Sequence, residues 1–345
     1  MSHAAPSAGS LPCAGAHNTG RPRRLWSGAS RHRDMRLRLG AMANRLRAPA
    51  DLQSAMLNDG RKDPTVVARQ APERNLERAR TRRPQARPLG KFLALVLALS
   101  VPFWVIGAAT DLQLFPGLSA SALMAFCPAA AAVILAHRGG KRDEVAALLA
   151  RSFDFRRIRR VRWYLPALLL MPAVSLFVYG LMREMDMALP APQIHALPAL
   201  LMFLGFLAGA LGEELGWSGY ALGPMQSRWS ALRTGATLGL VAIIWHLVPL
   251  VQQHRAPTWI AWWCLYVAAS RILIVWLYNN TGESVWAVSL FHATLNLAYW
   301  LFPVSGSHFD MRLGGLVMAA VAGVVVLVWG PGTLTGHDNT QRRAR

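Results

Sequence analysis

Lys91–Ala109 reads KFLALVLALSVPFWVIGAA, one lysine followed by eighteen residues without a charge. A helix crossing the hydrocarbon core of a bilayer needs about 20 mostly apolar residues. Seven further runs of this kind follow: Leu118–His137, Trp163–Met182, Leu197–Tyr220, Leu232–Leu250, Trp259–Tyr278, Val285–Phe302 and Leu313–Trp329. Lipid offers the backbone no hydrogen-bond partners, so continuous runs of this length must be helices. The sequence therefore predicts an all-α fold, a polytopic membrane helix bundle with about eight transmembrane helices. Composition agrees: 53% of the 345 residues are hydrophobic and 16% are charged, against about a quarter charged in a soluble domain.

Charge is distributed unevenly. Residues 1–91 hold 19 of the 37 Lys and Arg and 6 of the 17 Asp and Glu. They have no sustained apolar period, so residues 1–90 read as a disordered basic segment. Residues 91–332 read as the membrane domain and 333–345 as a short polar tail. A basic segment before a first span is retained in the cytoplasm and attracts anionic lipid. No nucleic-acid-binding signature accompanies the charge, so the expected partners are membrane lipids and no nucleic acid.

The Arg138–Arg162 loop carries nine Lys and Arg, while Asp111–Gly117 and Pro303–Asp310 carry none. The positive-inside rule then places both termini and the basic loop in the cytoplasm. Localisation is expected to be multi-pass in a bacterial inner or plasma membrane. Ser152–Arg162 reads as a short basic interfacial helix. Cys13, Cys127 and Cys264 are far apart and form no metal or disulfide pattern.

Chemistry-bearing residues occur inside three of the apolar runs. Glu213 and Glu214 lie in LAGALGEELGW, residues 207–217; His246 lies in AIIWHLVP, residues 242–249; His292 and Asn296 lie in LFHATLN, residues 290–296. An ionisable group in a membrane costs several kcal/mol and marks a functional site by default. The bland alternatives are a helix stop at the water interface for the glutamates and interhelical hydrogen bonding for His and Asn. His292 and Asn296, four apart, share one helical face. Arg271 lies a turn or two from a span end, where a long side chain snorkels to water. If the three helices pack together, the set suits general-base and oxyanion chemistry on water and a carbonyl.

In order and spacing these segments resemble the CPBP, or Abi, intramembrane endopeptidases, the family of type II CAAX prenyl proteases and bacteriocin-processing enzymes. The family's Glu-Glu-x-x-x-Arg is matched by Glu213-Glu214-Leu-Gly-Trp-Ser218. Its Phe-x-x-x-His is matched by Ala242-x-x-x-His246, and its His-x-x-x-Asn/Asp by His292-x-x-x-Asn296. The departures are Ser218 in place of Arg and Ala242 in place of Phe. Arg228 is the candidate to supply the missing charge.

The resemblance implies a hydrolase acting on membrane-associated proteins or peptides near the cytoplasmic side. Glu213, helped by His246, would activate water. His292 and Asn296 would stabilise the oxyanion, and Glu214 would support the site. A zinc site of Glu213, His246 and His292 with an open fourth position is the alternative chemistry. Two other functions share the helical bundle. One is an inactive scaffold or immunity-type protein, suggested by Ser218, and the other is a proton-coupled transporter using the buried carboxylates.

Overall fold

The computed structural model describes residues 88–335, apart from 111, 116, 117, 140 and 141. The basic segment and most of the polar tail lie outside the described residues. Helix α1 spans Leu89–Ala109, and a small antiparallel hairpin follows, β1 Gln113–Phe115 with β2 Leu118–Ser119. A 3-10 segment Ala120–Phe126 leads into α2, Cys127–Arg138, and α3 is Arg142–Ala150. The remaining helices are α4 Tyr164–Glu184, α5 Ala196–Gly216, α6 Ala231–Gln252, α7 Pro257–Asn280, α8 Val285–Leu301 and α9 Met311–Trp329. The protein is a polytopic helical membrane protein.

Among the described residues seven helices have the length and composition of a span. The eighth expected span, α8, has 17 residues. At 1.5 Å per residue it is about 26 Å long. It packs against α4, α5 and α7. Large apolar side chains such as Leu97, Leu169, Phe177, Leu204, Ile244 and Leu327 face outward. In water such a surface would aggregate, but against acyl chains it is the stable arrangement.

Side-chain caps open α6, α8 and α9. Ser230 and Asp310 accept hydrogen bonds from the backbone N–H groups of Arg233 and Leu313, opening α6 and α9. The start of α8 is capped twice. Ser284 Oγ accepts from the Ala287 N–H at 3.1 Å. The Asp154 carboxylate accepts from Ser284 Oγ and from the N–H groups of Val285 and Trp286. A carboxylate at this end also opposes the helix dipole favourably.

That cap explains a departure from expectation. Ser152–Arg162 is not one interfacial helix but part of a chain of 3-10 turns, Arg151–Phe153, Phe155–Arg157 and Val161–Trp163. Asp154, between the first two turns, is drawn to the α8 N-terminus. Arg151 donates to the carbonyls of Gly219 and Glu283, and Arg157 donates to that of Gly282. The basic loop is therefore fastened to the start of α8.

Several helix pairs approach closely, α5 with α2 and α6 with α7 among them. A Cβ on Gly216 of α5 would lie 2.5 Å from the Pro128 backbone of α2, and one on Gly239 of α6 would lie 3.0 Å from Ala268 Cα of α7. Small residues at such contacts are how membrane helices gain packing energy without a hydrophobic driving force.

Candidate active site

Glu213 and Glu214 do not end a helix at the water interface. The chain continues beyond α5 through a π-helical turn, Trp217–Leu222, and a further turn, Gly223–Gln226. Glu213 is 7% exposed and Glu214 is fully buried. A π turn directly after the acidic pair fits the association of such turns with functional sites.

Arg271 of α7 reaches the pair. Its Nη1 donates to Glu214 Oε1 at 2.6 Å and its Nη2 to Glu213 Oε2 at 3.1 Å. Ser218 Oγ donates to Glu214 Oε2. His292 Nδ1 lies 3.0 Å from Glu214 Oε1 and donates to it as an N–H to a carboxylate. Glu214 thus ties α5, α7 and α8 together. Arg271 is only 5% exposed, so the expected snorkelling does not occur. Nine residues separate it from the end of α7 at Asn280, a distance of about 14 Å along the axis. That depth was the signal in the sequence: a cation so far inside needs a buried partner. The missing charge is supplied by Arg271 and not by Arg228.

His246 packs against two aromatic rings. Its centroid lies 4.7 Å from Trp245 and 5.5 Å from Trp263. Its Nδ1 is 2.8 Å from the Ala242 carbonyl oxygen. A carbonyl only accepts, so Nδ1 carries the proton and the neutral ring presents Nε2 as its acceptor. Trp245 is fixed in turn by donating Nε1–H to Ser100 Oγ of α1 at 2.8 Å.

Glu213, His246, His292 and Asn296 line one cavity of about 450 Å³. Four residues expected from the sequence are therefore brought together, and Glu214 stands behind them outside the lining. The rest of the wall is mostly apolar, with Leu118, Leu123, Phe126, Phe206 and Trp300 among its members. The cavity extends to Leu114, Gln253 and Trp300, near the β hairpin, the end of α6 and the end of α8. The Arg-rich loop is fastened to the opposite end of α8. The part of the lining at Leu114, Gln253 and Trp300 and the basic loop thus lie at opposite ends of α8 and the bundle.

A zinc centre needs three or four ligand side chains gathered around one point. Among the described residues no group of three or more His, Cys, Asp or Glu side chains is gathered to hold a metal ion. One oxygen of Glu213 already accepts from a guanidinium, and a cation bound there competes with a second one. The residues present do not fit a zinc centre of Glu213, His246 and His292.

This geometry coincides with a family match. Residues 195–298 match the Rce1-like type II CAAX prenyl endopeptidases. The resemblance carried by the three motifs is borne out across the segment that holds all of them. A protein named CAAX prenyl protease 2, from Methanococcus maripaludis, is 28% identical over 131 residues, 35% of this chain and 48% of that relative. The chain thus spans about half the length of this curated relative.

Proposed function

We propose that this protein is an intramembrane endopeptidase that hydrolyses peptide bonds of membrane-associated proteins or peptides. The observation that carries the reading is the common cavity of Glu213, His246, His292 and Asn296. In this mechanism Glu213, assisted by His246 Nε2, takes a proton from water as the oxygen attacks the scissile carbonyl carbon. The Asn296 amide and the imidazolium form of His292, through Nε2–H while Nδ1–H stays on Glu214, donate hydrogen bonds to the oxyanion. The tetrahedral intermediate collapses as the C–N bond breaks, and the proton held by Glu213 passes to the leaving amine. Each group acts in a mostly apolar, preorganised site, where such donors are worth more than in bulk water. The apolar wall suits apolar side chains flanking the cleaved bond.

No step passes through a metal. Cleavage by the purified protein is therefore expected to continue in excess strong zinc chelator. Loss of activity that added zinc restores would overturn the water-activating mechanism in this form.

We infer that substrate is met at the end of the bundle away from the basic loop, where Leu114 and Gln253 line the cavity. With the Arg138–Arg162 loop in the cytoplasm, that end of the cavity lies towards the other face of the membrane. A Gln253→Cys variant, built after removal of the native cysteines, should react in intact cells with a membrane-impermeant maleimide. Labelling only after permeabilisation would reverse this orientation.

A further inference from the structure

We propose that Arg271 is the positioning residue of the acidic pair, and that positions 218 and 271 are two alternative seats for one cation. This rests on the peptidase reading, in which Glu213 must be held in place within the cavity wall. The geometry begins at Glu214. Arg271 donates to Oε1 and Ser218 donates to Oε2 of the same carboxylate. The two positions therefore face one group from two different helices, α7 and the π turn after α5. A guanidinium on either helix reaches the same charge.

Only one cation is needed there. Glu213 and Glu214 are neighbours in a buried setting, and two carboxylates without a counter-charge repel each other and lose solvation. Arg271 bridges them with separate N–H groups, and it also meets Glu214 at the oxygen that His292 uses. Its fork fixes the direction of both carboxylates, which a point charge cannot do. Arg271 itself is absent from the cavity lining, as is Glu214. Arg271 therefore acts through Glu213 and His292 and does not touch substrate. The sequence feature that looked like a defect, a serine at the end of the acidic motif, is one half of an exchange between helices.

The test is a charge exchange read by two measurements on the full chain: cleavage kinetics and melting temperature in detergent. R271S takes the guanidinium away from both carboxylates and should lower kcat by about 10²-fold, the scale of an ångström-level misplacement, with KM little changed. Its melting temperature should fall as well. R271K retains the charge without the fork and should fold normally, yet lose about tenfold in kcat. The exchanged protein, S218R with R271S, should recover most of both kcat and melting temperature.

Wild-type kinetics in R271K would overturn the positioning role. An exchanged protein no better than R271S in melting would overturn the two-seat arrangement. Recovery of melting without recovery of kcat would show a structural ion pair only, and so also overturn positioning. If the wild type itself cleaves nothing, the peptidase reading fails, while the melting series still decides whether one cation serves both seats.

Discussion

Glu213→Gln is expected to lower peptide cleavage by about 10²–10⁴-fold, the range that general-base catalysis supplies. The amide has nearly the shape of the carboxylate and its oxygen can still accept from Arg271, as Glu213 Oε2 does at 3.1 Å. It cannot take a proton from water. The variant should therefore retain the native melting temperature closely enough to separate chemistry from folding. His246→Ala should lose less, because the mechanism uses His246 to assist and Glu213 to hold the proton. Cleavage at the wild-type rate in Glu213→Gln would remove Glu213 from the mechanism.

Trp245→Ala is the substitution outside the polar cluster with the largest expected effect. Trp245 is 1% exposed, lies against Trp217 at 5.6 Å between centroids and bonds to Ser100 across to α1. Truncating a buried Trp to Ala costs about 3–5 kcal/mol through lost contacts and the cavity left behind. His246 would also lose the ring packed on it at 4.7 Å, so activity should fall beyond what lost stability explains. Trp245→Phe keeps most of the packing and gives up the hydrogen bond, a loss of about 1 kcal/mol. Denaturation in detergent checks the series, and equal melting of all three proteins would show that this contact does not hold α1 to α6.

Much of this was legible because membranes impose strong rules on sequence. Spans announce themselves by length and apolarity, and α1 could be bounded to within a few residues from Lys91–Ala109 alone. Buried polar groups are also conspicuous there, so Glu213, His246, His292 and Asn296 could be named before their shared cavity was seen. Arg271 was misread because an arginine on an apolar helix has two outlets, water or an acidic partner. One sequence does not say which neighbouring helix presents the carboxylate. The π turn after Glu214 leaves no periodicity signal, since it adds a single residue to an otherwise continuous apolar segment. The loop at Ser152–Arg162 was read as a helix from its basic composition. Its course is set by long-range contacts, the Asp154 cap on α8 and the bonds of Arg151 and Arg157, which local patterns do not reveal. The reach of the cavity lining to the end away from the basic loop depends on how the helices pack, and so could not be read from charge counts.

The most direct test is a comparison of protein N-termini in membranes from cells making the wild-type protein and from cells making Glu213→Gln at equal abundance. A peptidase that uses Glu213 predicts new N-termini in membrane-associated proteins that appear with the wild type and vanish with the variant. The same set of N-termini in both would contradict it.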